Sequence, residues 1–142
     1  MAVKTVIAVV GSTGAQGGAL CRAIFDHPHG GYACRAITRD PQKESAKALA
    51  ARGAEVVQAD LDEVEILKKA FAGAHGAFCV TNFWEHFSGE KEKAQARNMA
   101  EAAKAAAAKH VIWSTLEDTR TLMAPGHNRM PMLQEKYSTT WQ

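Results

Sequence analysis

VKTVIAVVGSTGAQGG, from Val3 to Gly18, joins two kinds of sequence. Its first half is a run of β-branched and small apolar residues, Val6 to Val10, with no polar interruption. Continuous apolar character over so short a run suits a strand buried on both faces, as in a parallel sheet. The run stops at Gly11, and glycines return at Gly14, Gly17 and Gly18. Glycines there let the chain turn tightly and bring backbone N–H groups close to a diphosphate at the N-terminus of the next helix. Thr13 offers a hydroxyl at the turn and Gln16 an amide in the first helical turn. A glycine pattern alone is weak, because the same turn can exist without a ligand. A strand before it and a helix after it are the context that makes it a dinucleotide loop.

That context continues along the chain. Gln16 to Asp26 has helical spacing and ends before the Pro28–Gly31 stretch; Tyr32 to Thr38 reads as a second strand. Asp40 before Pro41 reads as a helix start, with Asp at the cap, and that helix runs to about Arg52 before Gly53. Ala54 to Ala59 is a third strand, Glu63 to Phe71 a short helix, and Gly76 to Thr81 a fourth strand. Ser88 is placed to cap a long alanine-rich helix reaching about Lys109, and His110 to Ser114 is the fifth strand. Five strands alternating with four helices predict an α/β fold: a Rossmann-type, doubly wound parallel sheet of order 3-2-1-4-5. The ligand crevice then lies at the carboxyl ends of the strands, between strands one and four.

Residues 1–115 form the nucleotide-binding domain in this reading. Residues 116–142 are polar and broken by Pro125, Gly126 and Pro131, and read as an irregular tail with no sixth strand. The chain therefore resembles the nucleotide-binding half of something longer, truncated before a substrate subdomain. An uncovered fifth strand would invite pairing with another chain, so the expectation is either a homodimer or aggregate formed through that edge, or a chain of only marginal stability.

A length of 142 residues suffices for one domain with a real core, and a net charge of +2 points to neither nucleic acid nor an anionic membrane. No apolar segment approaches the roughly 20 residues needed to span a bilayer. The start of the chain does not read as a signal peptide, and Cys21, Cys34 and Cys79 look like small buried residues of a reducing compartment. A cytoplasmic location is expected, with the nucleus as the second choice.

Cofactor choice turns on the end of strand two. An acidic residue there accepts the ribose 2′-hydroxyl of NAD, whereas arginine favours the 2′-phosphate of NADP. The strand ends Ile37-Thr38-Arg39, and Lys43 adds charge one turn further on. Arg39 can stack on adenine and fork onto a phosphate, and Thr38 can donate a hydroxyl. Asp40 could instead accept the 2′-hydroxyl, but its place before Pro41 reads as a helix cap, so NADP is expected. Asp60 and Leu61 leave strand three at the adenine edge, although Asp60 or Asp62 could instead cap the short helix. Thr81, Asn82 and Phe83 leave strand four beside the pyrophosphate and nicotinamide ribose. Phe83, Trp84 and Phe87 form an aromatic group that either lines a pocket or covers the end of the sheet.

Catalytic groups are sparse. Ser114 ends strand five, where short-chain reductases carry a serine that polarises a carbonyl, and is a weak catalytic candidate. Its partner would be a tyrosine followed four residues later by a lysine, but Tyr137 is followed at that spacing by Trp141 and Tyr32 by Ala36. Cys21, His27, His29 and Cys34 have ligand types at metal-like spacing. A cysteine inside a helix and one in a buried strand should point apart, so no metal site is expected. His75, His110 and His127 have no evident acid or nucleophile beside them.

The segments GSTGAQGG, ITRDPQK, QADLDE, VTNFWEHF and VIWSTLEDTR together resemble the NmrA-like family of atypical short-chain dehydrogenase/reductases, from about Val6 to Tyr137. The resemblance implies a dinucleotide-binding fold in a protein about twice as long. It also implies NADP(H) as cofactor, held by Gly11, Thr13, Gly14, Ala15, Gln16, Gly17, Arg39, Lys43, Asp60, Leu61, Thr81, Asn82 and Phe83. Many members act as NADP-sensing regulators that bind the dinucleotide without a demonstrated reaction, and others reduce quinones or similar carbonyls. In a sensor of this kind a protein partner would read the bound conformation. Relatives continue into a His-Phe-Asp-x-Lys-Gly-Glu segment whose lysine reaches the nicotinamide end; here the chain reads Ser138-Thr139-Thr140-Trp141-Gln142. Three functions follow as expectations: an NADP(H)-binding regulatory or redox-sensor module, an NADP-dependent quinone or carbonyl reductase, or a truncated fragment with little function of its own.

Overall fold

A computed structural model describes residues 3–115. The elements are β1 (Thr5–Val10), α1 (Ala15–Phe25), β2 (Tyr32–Thr38), α2 (Glu44–Ala51), β3 (Glu55–Gln58), α3 (Val64–Phe71), β4 (Gly76–Cys79), a 3-10 turn (Phe83–Glu85), α4 (Gly89–Ala105) and β5 (His110–Trp113). The five strands form one sheet in the order β3-β2-β1-β4-β5, and every neighbouring pair is parallel. Each return to the sheet needs a crossover helix, which is why strands and helices alternate in the sequence. The tail of residues 116–142, with His127 and Tyr137, lies outside the described residues.

The apolar run of β1 is buried on both faces because helices cover both. Ala8 and Val10 face α3 and α4, in a core with Ile37, Leu67, Phe71, Cys79 and Met99. Val9 points the other way, into a smaller core with Cys21, Cys34, Ala36 and Leu49 under α1 and α2. Strand alternation thus feeds both layers from one strand. The small residues of α4, Ala96, Ala100, Ala102 and Ala103, are buried and let that helix lie close to the sheet and to α3. Arg35 ties β2 to its neighbours: Nε donates to Glu55 on β3 at 2.7 Å, and Nη1 donates to the carbonyls of Ala70 and Ala72 at the end of α3. A cation is well placed there, at the negative end of the helix dipole.

Several boundaries differ from the sequence reading, for local reasons. Helix α2 begins at Glu44, with Lys43 rather than Asp40 at its cap. The Asp40 carboxylate is spent on a tight turn, accepting from the Gln42 N–H at 2.9 Å, so the chain at Pro41 is not yet helical. Asp60 does the same, accepting from the Asp62 N–H at 2.9 Å, and neither it nor Asp62 caps α3; Glu63 holds that position. Ser88 caps α4 as expected, its hydroxyl accepting from the Lys91 N–H. Helix α4 stops at Ala105 rather than near Lys109. Ala107 turns left-handed at φ 50°, and the Lys109 N–H donates to His75, seating β5 beside β4.

Candidate functional site

The carboxyl ends of the strands open into one cleft of about 820 Å³. Its floor is apolar, made by Val10, Ile37, Ala59 and Val80 where the strands end. The loop after β1 forms one wall. Gly11 sits at φ +61°, and its carbonyl accepts from the Gly14 N–H at 2.9 Å, closing the turn into α1. Gly17 admits no side chain: a Cβ there would lie 2.2 Å from the Gly11 carbonyl oxygen. The helix is thereby pressed against its own loop, with its first-turn N–H groups facing the cleft. Gly11, Thr13, Gly14, Ala15, Gln16 and Gly17 all line this wall.

Ser12, passed over in the sequence reading, anchors the loop. It is buried, and its hydroxyl donates to the Ile37 carbonyl on β2 at 3.0 Å while its N–H reaches the same oxygen. Thr13, the neighbour chosen from the sequence, lines the cleft instead.

The second wall comes from the ends of β2 and β3. Thr38, Arg39 and Lys43 line it, together with Asp60 and Leu61. Thr38 is buried, and its hydroxyl accepts from the Asp40 N–H, which leaves its own proton to donate. Gln58 donates to the Arg39 carbonyl at 3.0 Å, holding that residue's backbone. The Arg39 guanidinium is ion-paired with Glu85 of the 3-10 turn.

The third wall is the segment after β4, where Thr81, Asn82 and Phe83 line the cleft with Trp84, and Ser114 stands at the end of β5. The Ser114 N–H donates to the Cys79 carbonyl, so this residue continues the sheet register into the cleft. Of the aromatic group, Phe83 and Trp84 line the cleft, whereas Phe87 lies outside it and packs edge-on against both. Phe87 is held left-handed at φ 51°. Tyr32 is at the amino end of β2, remote from Ser114 and the carboxyl ends.

Helix α4 positions two of these walls. Thr81 donates to the buried carboxylate of Glu92 at 2.5 Å. Gln95 donates to Asp62 at 2.8 Å, Lys91 pairs with the same carboxylate at 3.1 Å, and Asn98 donates to the Leu61 carbonyl at 2.9 Å. The Gln95 and Lys91 contacts hold the Asp62 carboxyl below the usual carboxylate range. Positions 91, 95 and 98 share a helix face by spacing, the one sign of this network in the sequence. Glu92 and Gln95 themselves line the cleft.

One expectation from the sequence is corrected. Cys21 and Cys34 do not point apart: α1 packs on β2 so that the two sulfurs lie 3.3 Å from each other. The helix position of Cys21 and the strand position of Cys34 both face the layer between the two elements. His27 and His29 stay exposed, the former edge-on to Tyr32. Among the described residues no three His, Cys, Asp or Glu side chains are grouped to hold a metal. No helix among them is long and apolar enough to cross a membrane.

All fourteen residues read as cofactor contacts therefore converge on this cleft, as does Ser114. Comparison with known proteins agrees with the architecture. FrzB of Cladobotryum sp., an NmrA-like family domain-containing oxidoreductase, is 39% identical over 114 residues, which are 78% of this chain and 33% of that protein. The chain thus spans about a third of the length of that relative. NmrA, a negative transcriptional regulator, superposes with a TM-score of 0.79 at 30% identity, over 96% of this chain and 40% of its own. It has been solved with NADP and with NAD. Triphenylmethane reductase of Citrobacter sp., solved with NADP(H), has a TM-score of 0.75 at 26% identity, over 94% of this chain and 43% of its own. The NmrA-like family profile matches residues 3–139. With the fold, the dinucleotide-type cleft and this match together, the chain belongs to the NmrA-like family.

Proposed function

We propose that this chain binds NADP(H) and serves as an NmrA-like regulatory or redox-sensing module, whose dinucleotide occupancy is read by a protein partner. The observation that carries the proposal is the cleft itself. A glycine-rich wall, with Gly17 pressed on the Gly11 carbonyl, lines the same cleft as Arg39 and Lys43. The glycine wall suits a diphosphate, and the two cations suit a 2′-phosphate. Gly11, Thr13, Gly14, Ala15, Gln16 and Gly17 would hold the pyrophosphate, Thr38, Arg39 and Lys43 the adenosine ribose and its phosphate, and Asp60 and Leu61 the adenine edge. Thr81, Asn82 and Phe83 would line the nicotinamide side. A reduced nicotinamide supplies a hydride when a substrate is present. A sensor needs no such step, only a difference in affinity between two conformations.

A second reading, an NADP-dependent quinone or carbonyl reductase, is favoured by Ser114 in the cleft and by relatives described as oxidoreductases. Among the described residues the cleft holds no tyrosine to donate a proton beside it.

Calorimetry separates the cofactor assignment from its alternatives. A bidentate contact to a charged group contributes on the order of 1.5–3 kcal/mol, so NADPH should bind about tenfold or more tighter than NADH. Arg39→Ala should flatten that ratio. Equal affinities for the two dinucleotides in the unsubstituted chain would overturn the NADP assignment, and no binding of either would overturn the module.

A further inference from the structure

We propose that Cys21 and Cys34 are a dithiol pair that hydroperoxides convert to a reversible intramolecular disulfide, joining helix α1 to strand β2. The cysteine pair is separate from the cleft, yet it links two elements that build it. Helix α1 carries the Gly14–Gly17 wall at its first turn, and β2 ends at Thr38 beside Arg39.

Three observations support the proposal. The sulfurs are 3.3 Å apart, and the Cys34 thiol donates to the Cys21 sulfur. Closing from that distance to the roughly 2.05 Å of a disulfide asks for small side-chain rotations, not movement of a helix. The pair is also chemically unequal. The Cys34 S–H stabilises negative charge on Cys21 and Arg22 adds attraction, lowering the Cys21 thiol, while Cys34 is raised. That asymmetry supplies one nucleophile and one resolving thiol. Cys79 lies on the opposite face of the sheet, and burial pushes its thiol up to about 12, so it stays out of the exchange.

The chemistry balances with hydrogen peroxide as the oxidant. The Cys21 thiolate attacks one peroxide oxygen; an S–O bond forms, the O–O bond breaks, and hydroxide leaves and takes up the proton lost by Cys21 as water. Cys34 then attacks the sulfenic sulfur; the S–S bond forms, the S–O bond breaks, and a second water leaves with the Cys34 proton. Two thiols are oxidised and one peroxide is reduced to two waters. Both sulfurs are buried, at 0% and 2% exposure, so a water-sized oxidant is selected over a bulky disulfide reagent.

The test uses the full chain. Trypsin cuts after Arg22 and Arg35, placing Cys21 in peptide 5–22 and Cys34 in peptide 23–35. After peroxide treatment of the folded protein, denaturation and alkylation should find one reactive cysteine of the three instead of three. Peptides 5–22 and 23–35 should appear joined, lighter by two hydrogens, and separate again after dithiothreitol. Cys34→Ala should lose the joined product and leave Cys21 open to dimedone. Should that variant not fold, the wild-type peptide map alone decides. Three alkylated thiols after peroxide, links that use Cys79 as readily as Cys34, or joined peptides arising between two chains would each overturn the proposal.

Discussion

The guanidinium of Arg39, at the end of β2, is ion-paired with the carboxylate of Glu85 in the turn after β4. The pair spans the mouth of the cleft between the walls that come from the two halves of the sheet. A phosphate arriving at Arg39 meets a carboxylate already there. Both side chains are well exposed, 58% and 40%, so the pair itself contributes little. Glu85→Gln should therefore tighten NADPH binding by about two- to fivefold, the equivalent of up to about 1 kcal/mol, with little change for NADH. Titration of both dinucleotides against both proteins checks it. An equal gain for NADH would mean that Glu85 acts on the cleft generally and not on the phosphate.

Gly17 sets a harder constraint. With a Cβ 2.2 Å from the Gly11 carbonyl oxygen, Gly17→Ala must push α1 off its loop. Overpacking of this kind costs about 1–3 kcal/mol or more, which lowers the melting temperature by roughly 10 °C in a domain of this size. Gly14→Ala, whose Cβ would stand 3.2 Å from the same oxygen, should cost distinctly less. Thermal melts of the two variants rank the contacts, and equal losses would contradict the geometry.

Asp62 predicts an acid-side dependence. Its carboxyl is lowered by Gln95 and Lys91, so the folded value lies below the unfolded one. Its contribution is fully present above the unfolded value, near the ordinary carboxylate range of about 4, and is lost as pH falls through the folded value. Asp62→Asn should lower stability at neutral pH, where that contribution is fully present, and flatten the fall below about pH 4, so that the two proteins converge in acid. Urea melts at stepped pH measure this, and parallel curves for the two proteins would count against it.

Edge strand β5 carries Val111 and Ile112 at 37% and 49% exposure, and among the described residues it pairs with β4 alone. Exposed apolar edges recruit a second strand, so the chain should self-associate through β5. Sedimentation should show a dimer that Ile112→Lys shifts toward monomer. A wild-type monomer across the same concentrations would remove the edge as an interface.

The fold was legible because each signal was local. The apolar run of β1, the glycines after it and the spacing of helices against strands are read within a few residues, and parallel topology follows from their alternation. The cleft residues were legible for a related reason: in a doubly wound sheet they stand at strand ends, and strand ends are marked in sequence. Glu85, Glu92 and Gln95 were not legible, because their roles come from partners on other elements, Arg39, Thr81 and Asp62. Ser12 was missed since its neighbour Thr13 has the same hydroxyl, and only the backbone says which of the two turns inward. The Cys21–Cys34 contact was misjudged because the angle at which a helix docks on a strand is not written in the spacing of its residues.

The order β3-β2-β1-β4-β5 places the first strand of the chain at the centre of the sheet. During synthesis β1, β2 and β3 can zip together from near neighbours. The seam between β1 and β4 waits until Gly76 to Phe78 emerge to meet Ile7 to Val9. The cleft straddles that seam, with Arg39 and Asp60 on the early half and Thr81 and Ser114 on the late one. A dinucleotide laid across it would clasp two halves of the chain that meet last, and so would slow their parting as well as fill the cleft.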